Sequence, residues 1–122
     1  MSLSESEVSP PFNPFPLANE SVYDDGYLRI GLDGYYVLCG GTLVRLPRTE
    51  FLILWRLSRS PERIVTVEEI WRCAWKGEKP LNAESLHVYI YRLRQQLLPY
   101  KLRIETMINV GYRLMIDGSP DP

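Results

Sequence analysis

The side chains able to do nucleophilic or metal chemistry are few: Cys39, Cys73 and a single histidine, His87. The cysteines lie 34 residues apart with no CxxC pairing, whereas a structural zinc needs four N or S ligands at short spacings. A thiolate–imidazole pair is a formal alternative, but Cys39 falls in a strand-like run and Cys73 within an apolar-periodic helix, which predicts buried, inert thiols. Without a nucleophile–base pair, phosphate loop or ligand cluster, the sequence predicts no enzyme, no metal and no cofactor. What remains is ionic and aromatic. Val88, Tyr89, Tyr91, Arg92 and Arg94 fall within seven residues. An arginine can give two parallel donors to guanine, a valine can pack on a thymine methyl, and a tyrosine hydroxyl can position a phosphate.

The elements that must position these groups follow from periodicity. At 100° per residue, Leu86, Ile90, Leu93 and Leu97 fall within about 60° of one another, a buried stripe. The opposite side carries Glu84, Val88, Tyr91, Gln95 and, at its edge, Arg92. Exposed aromatics at Tyr89 and Tyr91 call for a DNA backbone or a protein surface. Asn82 can cap this helix, which runs to about Leu98 before Pro99. Upstream, Thr66-Val67-Glu68-Glu69 is a capping box that opens a helix with Ile70, Trp71, Ala74 and Trp75 on its apolar face and Gly77 at its end. An earlier helix begins after Pro47, carries Phe51, Leu54 and Trp55, and ends before Pro61.

Strands flank the helices. Tyr27–Ile30, Tyr35–Leu38 and Thr42–Leu46, separated by Asp33-Gly34 and Gly40-Gly41, predict a three- or four-stranded antiparallel meander. Arg103–Thr106 and Tyr112–Met115, around Asn109 and Gly111, predict a hairpin. Strands, three helices and a hairpin in that order predict an α+β winged helix-turn-helix over residues 23–116. Residues 1–22, with four prolines, read as a flexible tail or linker, and 117–122 as a disordered tail. The Ser- and Glu-rich start is unlike a signal peptide, and no apolar run could cross a bilayer. Reduced cysteines without an export signal point to the cytoplasm.

Charge refines this. The whole chain carries −1, but residues 1–46 carry −4, residues 47–116 carry +5 and the last six carry −2. A basic segment therefore lies between acidic ends, and the neutral total does not exclude nucleic acid.

Four motifs, in order, resemble the DNA-binding output domain of OmpR/PhoB-type response regulators. Leu46-Pro47-Arg48-Thr49-Glu50-Phe51 is similar to that family's L-T-x-x-E-F, and Val65–Trp75 to its V-S-R-E-E-L…V-W. Val88–Leu97 resembles V-H-I-x-R-L-R-x-K-L, and Val110-Gly111-Tyr112-Arg113-Leu114 resembles the G-V-G-Y-R-L wing. The receiver domain usual in full-length members is absent from these 122 residues.

The resemblance implies a bacterial transcription regulator with the third helix in the major groove of double-stranded DNA and the wing at the minor groove. It implies base contacts from Val88 and Arg92, phosphate contacts from Tyr89, Tyr91 and Arg94, and backbone contacts from Thr106 and Tyr112. Lys76, Gly77, Glu78 and Lys79 would face RNA polymerase, and paired protomers would occupy repeated half-sites. The chain departs from the family at Glu84, where an arginine is usual, and at Ile108-Asn109, where the wing has Arg-Gly. It also has Pro47 where a cap threonine is usual. These departures predict weak DNA binding by a single domain, and leave a protein-interaction module as the alternative function.

Overall fold

The computed structural model describes residues 21–116, so most of the segment read as an N-terminal tail, and all of 117–122, lie outside the described residues. A four-stranded antiparallel meander comes first: β1 (Val22–Asp24), β2 (Leu28–Gly31), β3 (Tyr36–Cys39) and β4 (Thr42–Val44), adjacent in sequence order. β1 is too short to show a period of its own. Pairing makes it a strand, through Val22 opposite Gly31 and the Leu32 amide donating to Ser21 O at 2.8 Å. The sheet thus begins one residue upstream of the expected boundary at residue 23. Asp25 Oδ1 accepts from the Tyr27 and Leu28 amides at 2.9 and 2.8 Å and closes the β1–β2 turn. Gly40 and Gly41, with φ of +57° and +87°, supply the left-handed turn between β3 and β4.

One face of this sheet is apolar by alternation: Leu28 pairs with Cys39, and Ile30 with Val37, which in turn pairs with Val44; all five are buried. They join one core with α1 (Arg48–Ser58), which is buried at eight of its eleven positions and packs against both later helices. Pro47 occupies the N-cap and offers no side-chain acceptor. The helix is held by burial instead, each fully buried Phe, Leu or Ile contributing about 1.5–3 kcal/mol.

β5 (Ile64–Thr66) is a strand that the sequence reading did not anticipate. Its three β-branched residues pair with β7 (Gly111–Ile116), which also pairs with β6 (Leu102–Met107), giving a three-stranded sheet in the order β5-β7-β6. Gly111 is forced by this contact: a Cβ there would lie 1.9 Å from the Val65 carbonyl oxygen. Thr66 then caps α2 (Val67–Trp75) with the full capping box, its Oγ1 accepting from the Glu69 amide while Glu69 Oε1 accepts from the Thr66 amide, both at 3.1 Å. The helix closes on Lys76 in the left-handed conformation, one residue before Gly77. Asn82 caps α3 (Ala83–Leu97) by accepting from the Ser85 amide at 3.0 Å, and Leu86, Ile90, Leu93 and Leu97 are all buried as the stripe predicts. The fold is a winged helix-turn-helix. Among the described residues, no helix is long and apolar enough to cross a membrane.

Candidate nucleic-acid interface

With its stripe buried, α3 turns Glu84, His87, Val88, Tyr91 and Arg92 outward. Val88 is 46% exposed and Tyr91 58%, though both are large apolar or aromatic side chains. Beside this face the wing turn, residues 108–110, stands across a cleft of about 470 Å³ walled by Glu84, Val88, Met107, Asn109 and Val110. The described surface therefore presents a helix and a hairpin tip side by side, and an α-helix is an element that the major groove of a duplex admits.

Tyr89 is half-buried, not free. Its ring meets Trp75 edge-on, with centroids 5.3 Å apart at 73°, and so fixes α3 on the end of α2. The Arg92 guanidinium lies over the same ring, Cζ 5.4 Å from the centroid. A cation one helical turn away on an aromatic face is attracted by the ring quadrupole, and this restricts the arginine's rotamers. Glu50 of α1 is 4% exposed, and its Oε1 has no hydrogen-bond partner among the described residues. Burial raises the Glu50 pKa above that of an ordinary carboxyl, and the charge of Arg92 partly counters it.

Arg94 is placed differently from the sequence expectation. Its Nε and Nη2 donate to the Ile104 carbonyl at 2.9 and 2.7 Å, and Nη2 also donates to Thr106 Oγ1 at 2.7 Å. Its Cα lies at the edge of the buried stripe, so the guanidinium reaches β6 and bonds it. Tyr112 is likewise turned inward: it is 5% exposed, a wall of the cleft under the wing, because it alternates with Leu114 on β7. Burial raises its hydroxyl pKa, against the nearby Arg94 charge. Thr106 stays exposed, and while its oxygen accepts from Arg94 its own proton is left to donate.

The wing's cations are engaged with one carboxylate. Arg113 donates through Nε and Nη2 to Glu105, and Arg103 lies 3.2 Å from its other oxygen. The Arg113 hydrogen bond, aided by both arginine charges, holds Glu105 below the usual carboxylate pKa. The α2–α3 loop is also pinned. Trp71 stacks on Trp75 with centroids 3.9 Å apart, and its indole N–H donates to Lys79 O at 3.0 Å. Lys76, Gly77, Glu78 and Lys79 are all exposed around that anchor. Cys39 is buried, its thiol pKa pushed up to about 11 by desolvation, and the half-buried Cys73 is raised by the same cause. Neither is poised as a thiolate. Among the described residues, no group of His, Cys, Asp and Glu could hold a metal.

The sequence reading missed two residues here. Arg94's anchoring role is signalled only by its wheel position at the stripe's edge, and Glu50, a first-turn acid in the sequence, is buried in the fold.

A family model described as "Transcriptional regulatory protein, C terminal" matches residues 41–114, from β4 through the wing. The chain belongs to this family. Among curated relatives of this C-terminal domain, the sensory transduction protein BceR of Halalkalibacterium halodurans is 35% identical over 78 residues, 62% of this chain and 34% of that protein. The response regulator ArlR of Staphylococcus haemolyticus is 28% identical over 95 residues, 76% of this chain and 43% of that protein. The chain thus spans less than half the length of these relatives. The solved DNA-binding domain of Klebsiella pneumoniae RstA, in complex with the RstA box, superposes with a TM-score of 0.65 at 28% identity, covering 77% of this chain and 96% of that one.

Proposed function

We propose that this domain is the DNA-binding output module of a bacterial two-component transcription regulator. It acts in the cytoplasm and catalyses no reaction of its own. The observation that carries the reading is the outward face of α3, where Val88, Tyr91 and Arg92 stand clear of a fully satisfied core stripe beside the wing. In the major groove, Arg92 donates its fork to a guanine and Val88 packs on a thymine methyl. Tyr89 holds Arg92 in position from below. Tyr91 and Thr106 donate hydroxyls to phosphates, the Thr106 proton made a better donor by the Arg94 charge behind it. Arg94 and Tyr112 act from inside by setting the wing against the helix.

The exposed loop Lys76–Lys79, held by Trp71, is the surface offered to RNA polymerase. Glu84, and a wing without a cation at its tip, keep affinity low for one domain, so protomers pair on repeated half-sites.

The test is titration of labelled duplexes from the source genome at two salt concentrations. Binding should weaken with a log–log slope of about 0.9 per neutralised phosphate, on the order of three to five contacts. Failure to bind any duplex at low salt would replace this reading with the protein-interaction module.

A further inference from the structure

The most exposed large apolar side chain among the described residues is Ile108, 80% accessible, at the tip of the wing. Its neighbour Val110 is 48% exposed, and Asn109 between them takes the left-handed conformation, φ +66°. No cation lies between Thr106 and Tyr112. The wing's two arginines are engaged farther back, at Glu105. The tip is also rigid: the Val110 amide donates to Met107 O at 2.9 Å, and the Val67 amide donates to Val110 O at 3.2 Å, tying the turn to the start of α2. An apolar residue held in water on a braced turn is poorly suited to electrostatic contact with phosphates. It suits insertion between stacked bases. Minor-groove proteins drive Phe, Leu, Ile or Met into a base step, unstack it and bend the duplex away, commonly with an Asn or Gln nearby reading the groove floor.

We infer that Ile108 is an apolar wedge that enters the minor groove and kinks the duplex, with Asn109 donating its amide to the adenine N3 and thymine O2 acceptors beside it. The inference rests on the DNA-binding reading above and adds a deformation step to it. It replaces attraction to a narrow, electronegative groove with preference for a flexible step such as TA or CA, because the cost of unstacking depends on the sequence deformed. The wing's contribution then becomes nearly independent of salt. A cation at the same position would add a released counterion instead.

The experiment uses duplexes of about 30 base pairs, selected from a random-sequence pool by the wild-type domain, with a donor and an acceptor dye at the two ends and 2-aminopurine at the flanking minor-groove step. Wild-type binding should raise both energy transfer and 2-aminopurine fluorescence. Ile108→Ala should bind about tenfold more weakly, with an unchanged salt slope and with both signals near those of free duplex. Ile108→Arg should bind without the bend and steepen the salt slope by about 0.9. Among the described residues Ile108 lies outside the core cluster, so both variants should melt with the wild type. A wild-type complex with a straight duplex, or Ile108→Ala bending DNA as the wild type does, overturns the wedge and leaves DNA binding intact. Selection that yields no bound duplex overturns the DNA-binding reading itself.

Discussion

Arg94 of α3 donates to Thr106 of the wing at 2.7 Å, and the same guanidinium bonds the Ile104 carbonyl twice. Three charge-assisted bonds therefore join α3 to the hairpin beside it. Arg94→Ala should destabilise the domain by about 1–3 kcal/mol, seen as a lower midpoint in urea or heat. Thr106→Val leaves the two bonds to Ile104 and should cost under about 1 kcal/mol of stability, while weakening every duplex alike by one phosphate contact. Equal melting of Arg94→Ala and wild type would show the latch to be idle.

Arg92→Ala should lose about 1–3 kcal/mol on a selected site and little on unrelated duplexes, read as a collapsed specificity ratio. Tyr89→Leu retains an apolar contact for Trp75 but removes the ring face under the guanidinium. A loss of about 0.5–1 kcal/mol on the same site is expected, with Arg92 itself intact.

Burial holds the Glu50 proton to a higher pH than in the unfolded chain. The native state then binds that proton more tightly. Its contribution to stability is complete below the unfolded pKa and declines as pH rises through the folded one. Glu50→Gln should therefore flatten the stability profile across that window and raise stability at pH 7 relative to wild type, measured by urea melts at successive pH values. The gain is limited because the variant also gives up attraction to Arg92.

Glu69 titrates in the opposite sense: its bonds to Thr66, backbone first, hold its pKa below the ordinary value. That support is present above the unfolded pKa and lost as pH falls through the folded one, so acid should fray the start of α2. Thr66→Ala should cost about 1 kcal/mol at pH 7, and its deficit against wild type should shrink in acid.

Glu84 stands exposed on the first turn of α3, beside the cleft. Glu84→Arg should strengthen binding to all duplexes at low salt and steepen the salt slope by about 0.9.

The architecture was legible because its signals are local. The Thr66–Glu69 capping box, the Asn82 cap, and the 3.6-residue recurrence of Leu86, Ile90, Leu93 and Leu97 need no distant partner to be read. β5 escaped, and β1 was left open between a three- and a four-stranded meander, because each is a strand only through its neighbour. The site was half legible for a related reason. Helical spacing tells which side of α3 faces out, and it placed Val88, Tyr91 and Arg92 correctly on that surface. It cannot tell that Arg94 is long enough to reach a carbonyl on β6, or that Tyr112 alternates inward. Those facts depend on where the wing docks.

The stacked indoles of Trp71 and Trp75, with Tyr89 edge-on to the second, have a spectroscopic consequence. Two chromophores 3.9 Å apart couple their transitions, so the native domain should give a near-ultraviolet circular dichroism signal that vanishes when side-chain packing melts. Because one partner of this cluster sits on α3, the same signal senses any shift of that helix as a ligand loads it. The protein carries its own optical gauge, without a dye, for the position of α3.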